Sequence, residues 1–143
     1  MNAQTKARIE AYAESCREEQ KELLRTLGQI PSPTGEEYRR AAFCRDWLIA
    51  QGAGQVTLDE AKNVLCPLGD DGAGDLVVFA AHTDIVFPDK DPMPVEEREG
   101  RFYAPGIGDD TANLVNLLLA ARYLIRNRIP LSCGLLIAAN SCE

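Results

Sequence analysis

The 143-residue sequence is short of positive charge and of histidine: 15 Lys and Arg stand against 22 Asp and Glu, a formal charge of −7, with a single His and a single Trp. Phosphate backbones and anionic head groups call for clustered Lys and Arg, so neither nucleic acid nor a membrane surface is an expected partner. Long apolar runs are missing too. The longest, Leu76–Ala81 and Leu117–Ala121, fall well below the roughly 18 residues of a membrane span. The N-terminus alternates charge with small residues (Lys6, Arg8, Glu10) and lacks the apolar core of a secretory signal. The expected location is cytoplasmic. Cysteine is present but unpatterned: five residues, an odd number, none in a C-x-x-C pair, which disfavours a disulfide framework or a thiolate zinc site and leaves reduced, buried thiols.

What the sequence does contain is enough apolar residue, 45%, for one domain to build a core without disulfides. Ile9, Tyr12, Cys16, Leu23, Leu24 and Leu27 recur at helical spacing, so 4–27 reads as one amphipathic helix stopped by Gly28. Pro31 and Pro33 force an extended turn. Thr34 and Glu37 then have capping-box spacing ahead of a second helix carrying Phe43, Trp47 and Leu48. Val56–Leu58 and Asn63–Leu68 read as short strands. Leu76–Ala81 is apolar without alternation, the pattern of a strand covered on both faces, and Gly134–Ala139 repeats it. Between them lie a proline-rich loop over 87–105, with room for one hairpin, and a strongly apolar helix over 111–126. Strand, helix and strand give an α/β fold with a parallel crossover.

Ligands of open α/β sheets sit beyond the carboxyl ends of the strands. There the sequence places His82, Thr83 and Asp84 after one strand and Asn140, Ser141, Cys142 and Glu143 after the other, with Asp109 and Asp110 leading into the buried helix. Each has an ordinary reading beside a functional one. His82 is either a hydrogen-bonded loop residue or a metal ligand. Asp84 either makes an Asx-turn or fixes the tautomer of a metal-binding imidazole. Gly106-Ile107-Gly108-Asp109-Asp110 is either a glycine turn with an aspartate N-cap or a carboxylate pair around a cation, since one cap needs only one acceptor.

Ile30-Pro31-Ser32-Pro33-Thr34-Gly35-Glu36-Glu37, Ala81-His82-Thr83-Asp84, Gly106-Ile107-Gly108-Asp109-Asp110 and Ala139-Asn140-Ser141-Cys142-Glu143, in that order, resemble the dinuclear zinc exopeptidase and deacylase family. That family includes carboxypeptidase G, aminoacylase, peptidase T and succinyl-diaminopimelate desuccinylase. The resemblance implies a three-layer αβα sandwich with a mostly parallel mixed sheet, incomplete at the C-terminal end, so that 1–143 is the N-terminal part of a catalytic domain. It implies His82 as a zinc ligand, Asp84 orienting it, Asp109 bridging two zinc ions and Glu143 as general base. Cobalt or manganese could replace zinc at so carboxylate-rich a site. It also implies a cis peptide between Asp109 and Asp110. The implied reaction is metal-dependent hydrolysis of a peptide or N-acyl amino acid amide bond, with homodimer contacts carried by a lid domain outside these residues. Thr111-Ala112 departs from the Lys-Gly that many relatives have after the paired aspartates, which leaves the subfamily open. Two other readings remain: a non-catalytic α/β domain that binds protein, and a flavodoxin-like domain, which the lack of a phosphate-cradling loop disfavours.

Overall fold

The computed structural model describes residues 2–69, 74–88 and 91–142. The N-terminal segment forms two helices, α1 (Ala3–Ser15) and α2 (Arg17–Gln29), rather than the single helix its periodicity predicts. The break falls at Cys16, whose N–H bonds to the carbonyls of Tyr12 and Ala13; neither Gly nor Pro marks it. Helix α3 (Tyr38–Ala50) buries Ala41, Cys44 and Leu48, spaced at three and four residues. Helix α4 (Ala112–Asn127) buries Leu114, Val115, Leu118 and Leu119, and ends where Arg128 takes a left-handed conformation.

Six strands follow the expected order: β1 (Thr57–Leu58), β2 (Val64–Leu68), β3 (Leu76–His82), β4 (Glu96–Arg98), β5 (Arg101–Tyr103) and β6 (Gly134–Asn140). Strands β4 and β5 form the one hairpin expected in the long loop. The others make a mixed sheet ordered β1-β2-β6-β3, with β3 and β6 parallel and the β1–β2 and β2–β6 pairings antiparallel. Alternation along a strand sends alternate residues to opposite faces. One face carries Val64, Cys66, Ala81, Leu135, Ile137 and Ala139 into a single core with α2, α3 and α4. Burial raises the Cys66 thiol pKa to about 11 and the Cys44 thiol to about 12, so both stay protonated and pack as small apolar groups.

Strand β6 is central and buried, as expected, but β3 is not covered on both faces. Leu76, Val77, Val78 and Phe79 are all exposed. The reason is position: β3 is the sheet's outer strand among the described residues, and the helices gather on the opposite side from Leu76 and Val78. These residues therefore supply the sheet and one helical layer of the expected sandwich.

Candidate metal centre

The parallel pairing of β3 with β6 sets His82 opposite Asn140, so both strands end on one edge. Thr83 continues the ladder, its N–H and hydroxyl both donating to the Asn140 carbonyl at 2.7 and 3.1 Å. The chain then turns beside the 30–37 segment, where Ile85 N–H donates to the Ser32 carbonyl at 2.9 Å. This pins Thr83, Asp84 and Ile85, all buried.

The paired aspartates come from the turn before α4. Gly106 opens it at φ +64°, and a Cβ there would lie 2.2 Å from the Ile85 Cγ2, so only glycine fits. Asp109 and Asp110 leave helical dihedrals, the peptide between them is cis, and neither caps α4, whose N-cap is Thr111. Asp110 has two partners. Its Oδ2 accepts from the His82 main-chain N–H at 3.1 Å and its Oδ1 from the Asn113 side chain at 2.6 Å.

These two segments bring the candidates together. The His82 Nε2 lies 3.2 Å from Asp109 Oδ1, and ligand atoms of His82, Asp109 and Asp110 all fall within 4.8 Å of one another. On the other side of the imidazole, Nδ1 is 3.0 Å from the Asp84 carbonyl oxygen and 3.4 Å from its carboxylate. Asp84 is itself held by the Thr34 hydroxyl, which donates to Oδ2 at 2.7 Å. Thus both named neighbours of the ring are oxygen acceptors. With Nδ1–H donated to Asp84, the Nε2 lone pair faces Asp109, an arrangement in which a cation between imidazole and carboxylate satisfies both. Imidazole and carboxylate donors suit zinc, cobalt or manganese. Glu143 lies outside the described residues.

Three residues of the 30–40 segment do work that sequence reasoning missed. Thr34 and Glu37 form no capping box: Thr34 is committed to Asp84, and Glu37, fully buried, makes no side-chain cap of α3. Burial alone would raise the Glu37 carboxyl pKa, but the Gly35 amide, its own amide, the Cys142 thiol at 3.3 Å and the Lys62 ammonium at 3.3 Å together hold it below the usual range. Arg40 is likewise wholly buried. A Glu or Arg on a helical segment ordinarily reads as a solvated face; the only sequence hint was their closeness to the Pro-rich turn.

Residues 78–143 match the model of peptidase family M20/M25/M40. The chain is 36% identical over 105 residues to a [LysW]-lysine hydrolase of Deinococcus radiodurans, covering 73% of this chain and 27% of that protein. It is 30% identical over 129 residues to a succinyl-diaminopimelate desuccinylase of Legionella pneumophila, covering 83% and 34% respectively. It thus spans about a quarter to a third of these relatives. Among solved structures, human carnosine dipeptidase 1 superposes with a TM-score of 0.74 at 19% identity, over 91% of this chain and 33% of the other. A Bacillus subtilis dinuclear metal binding peptidase of the M20 family gives 0.60 at 16% identity, over 91% and 36%. Sequence and fold agree, and the chain belongs to peptidase family M20/M25/M40.

Proposed function

We propose that residues 1–143 form the N-terminal part of the catalytic domain of a zinc-dependent hydrolase that cleaves a peptide or N-acyl amino acid amide bond in the cytoplasm. The observation that carries the reading is the 3.2 Å approach of His82 Nε2 to Asp109 Oδ1 with Asp84 on the other ring nitrogen. His82 and Asp109 would hold the metal; the Asp109 side chain is 88% exposed, and its carboxylate has two oxygens with which to serve two ions. The similarity to a [LysW]-lysine hydrolase, a succinyl-diaminopimelate desuccinylase and a dinuclear metal binding peptidase supports both the hydrolysis and the two-metal reading.

Bound zinc would lower the pKa of a coordinated water toward about 7 and polarise the scissile carbonyl. The remaining tasks fall to the chain. Asp84 keeps the His82 proton on Nδ1, which presents Nε2 as a donor of electrons. Asp110 holds the His82 main chain and so fixes where the β3 terminus points. Glu143, following β6, would accept a proton from the attacking water and return it to the leaving amine. No helix among the described residues is long and apolar enough to cross a membrane. Homodimer contacts would belong to a lid domain beyond these residues.

The test is hydrolysis of dipeptides and N-acetyl amino acids by the full-length protein, with and without a chelator. Activity should vanish on chelation and return with zinc, cobalt or manganese, and Glu143→Ala should lower the rate by about 10²–10⁴. Activity that survives thorough chelation overturns the reading.

A further inference from the structure

Arg40 sits in the first turn of α3, and its guanidinium reaches the three segments that supply Thr34, His82 with Asp84, and the paired aspartates. One terminal nitrogen donates to the Ile30 carbonyl at 2.8 Å; the other donates to the Thr83 carbonyl at 3.1 Å and the Thr111 hydroxyl at 3.3 Å. Ile30 opens the turn that delivers Thr34 to Asp84. Thr83 lies between His82 and Asp84. Thr111 follows Asp110 directly, and its hydroxyl passes the tie on to the Gly106 carbonyl at 2.7 Å.

A buried charge is costly to desolvate, and burial draws the Arg40 pKa down to about 10, against the pull of the Asp84 carboxylate; it remains charged at neutral pH. If the site needed only a filled core, apolar side chains of similar volume would serve it as well. What a guanidinium adds is a planar fork with fixed directions, which an ammonium cannot reproduce.

We propose that Arg40 is the positioning residue of the metal centre, its fork holding the His82 and Asp109 segments in one register so that their ligand atoms converge. This rests on the metal reading above and deepens it. Arg40 touches neither metal nor substrate; it acts through Thr83 and Thr111.

His82 is the only histidine of residues 1–143; in the full-length protein its ring ¹⁵N signals are the set that a His82→Gln variant lacks. Those signals would be compared in wild type, Arg40→Lys and Thr111→Val, first without metal and then through a zinc titration, with amide dispersion as the check on folding. In folded Arg40→Lys the Nδ1 and Nε2 signals should shift without metal, and the apparent zinc Kd should rise about tenfold or more. Thr111→Val, which loses one arm of the fork, should move both in the same direction by less. A folded Arg40→Lys with wild-type ring signals and zinc affinity overturns the proposal. Should Arg40→Lys unfold, Thr111→Val decides alone, and unchanged signals there overturn it equally. Wild-type signals that ignore zinc to millimolar concentration defeat the metal reading instead, and the metal-free comparison still rules on Arg40.

Discussion

Strand β3 and the residues that continue it form two regions of opposite character within ten residues of chain. Its apolar body, Leu76 to Phe79, is exposed, whereas the polar continuation Thr83 and Asp84 is buried. Composition alone predicts the reverse. The difference arises because an apolar residue is buried only where another layer is available, while a polar residue is buried where its hydrogen bonds are met. At the strand end they are met: Thr83 by Asn140 and Arg40, Asp84 by Thr34, and the His82 amide by Asp110. Along this segment burial follows the hydrogen bonds met at the carboxyl edge of the sheet, where the chemistry would occur.

The sharpest way to break that edge is Gly106→Ala. The left-handed backbone would cost about 1–2 kcal/mol and the clash with Ile85 about 1–3 kcal/mol more. Together they should lower the urea unfolding free energy by about 4 kcal/mol. A loss below about 1 kcal/mol would mean that the turn shifts freely and does not hold the aspartates in place.

The body of the strand offers the matching control. Phe79 and Ile137 are register partners on the same sheet face, yet Phe79 is 55% exposed and Ile137 3%. Ile137→Ala should cost about 2–5 kcal/mol, and Phe79→Ala, despite deleting a larger side chain, less than about 1 kcal/mol. Equal losses in chemical denaturation would show that β3 is covered in solution and would dissolve the contrast.

The edge depends next on Thr34. Thr34→Val keeps the shape but removes the 2.7 Å bond to a buried carboxylate, an interaction with a charged group worth about 1.5–3 kcal/mol. Unfolding should register a loss near 2 kcal/mol, and zinc affinity, read by calorimetry, should fall about tenfold because Asp84 then holds the imidazole less firmly. Intact affinity would show that the Asp84 main-chain carbonyl, at 3.0 Å from Nδ1, suffices to orient the ring.

These contrasts also show what the sequence could and could not reveal. Element order was legible because periodicity and glycine or proline punctuation agree along most of the chain, and the strand ends followed from it, which is why His82, Asp84 and Asp109 could be singled out together. Coverage of β3 was not legible, since an apolar run records what a strand tolerates rather than what lies against it. The break at Cys16 was invisible because no backbone-altering residue marks it. Thr34 and Glu37 were read as a capping box and Arg40 drew no reading, for a common reason: capping and solvated-face rules treat a polar side chain as serving its own helix, whereas these three serve other segments.

Glu37 allows the smallest and most discriminating measurement. Its carboxyl pKa is held below the ordinary value by the Gly35 amide, its own amide, Cys142 and Lys62, which outweigh burial. The unfolded value is about 4.3. Folding therefore favours the ionised form, so the charge-dependent stabilisation is fully present above the unfolded pKa and is lost as pH falls through it toward the lower folded value. Glu37→Gln cannot titrate. The stability gap between wild type and Glu37→Gln should be steady from about pH 7 to pH 5 and should narrow below about pH 4 in urea titrations at fixed ionic strength. A gap that stays constant into acid would assign the Glu37 contribution to packing and neutral hydrogen bonds. A gap that closes would show that the negative charge of Glu37, which faces the Gly35 amide, Cys142 and Lys62, contributes to holding these segments together. That outcome would make the 34–37 turn, which also carries Thr34 to Asp84, dependent on a buried charge, while the apolar body of β3 contributes little.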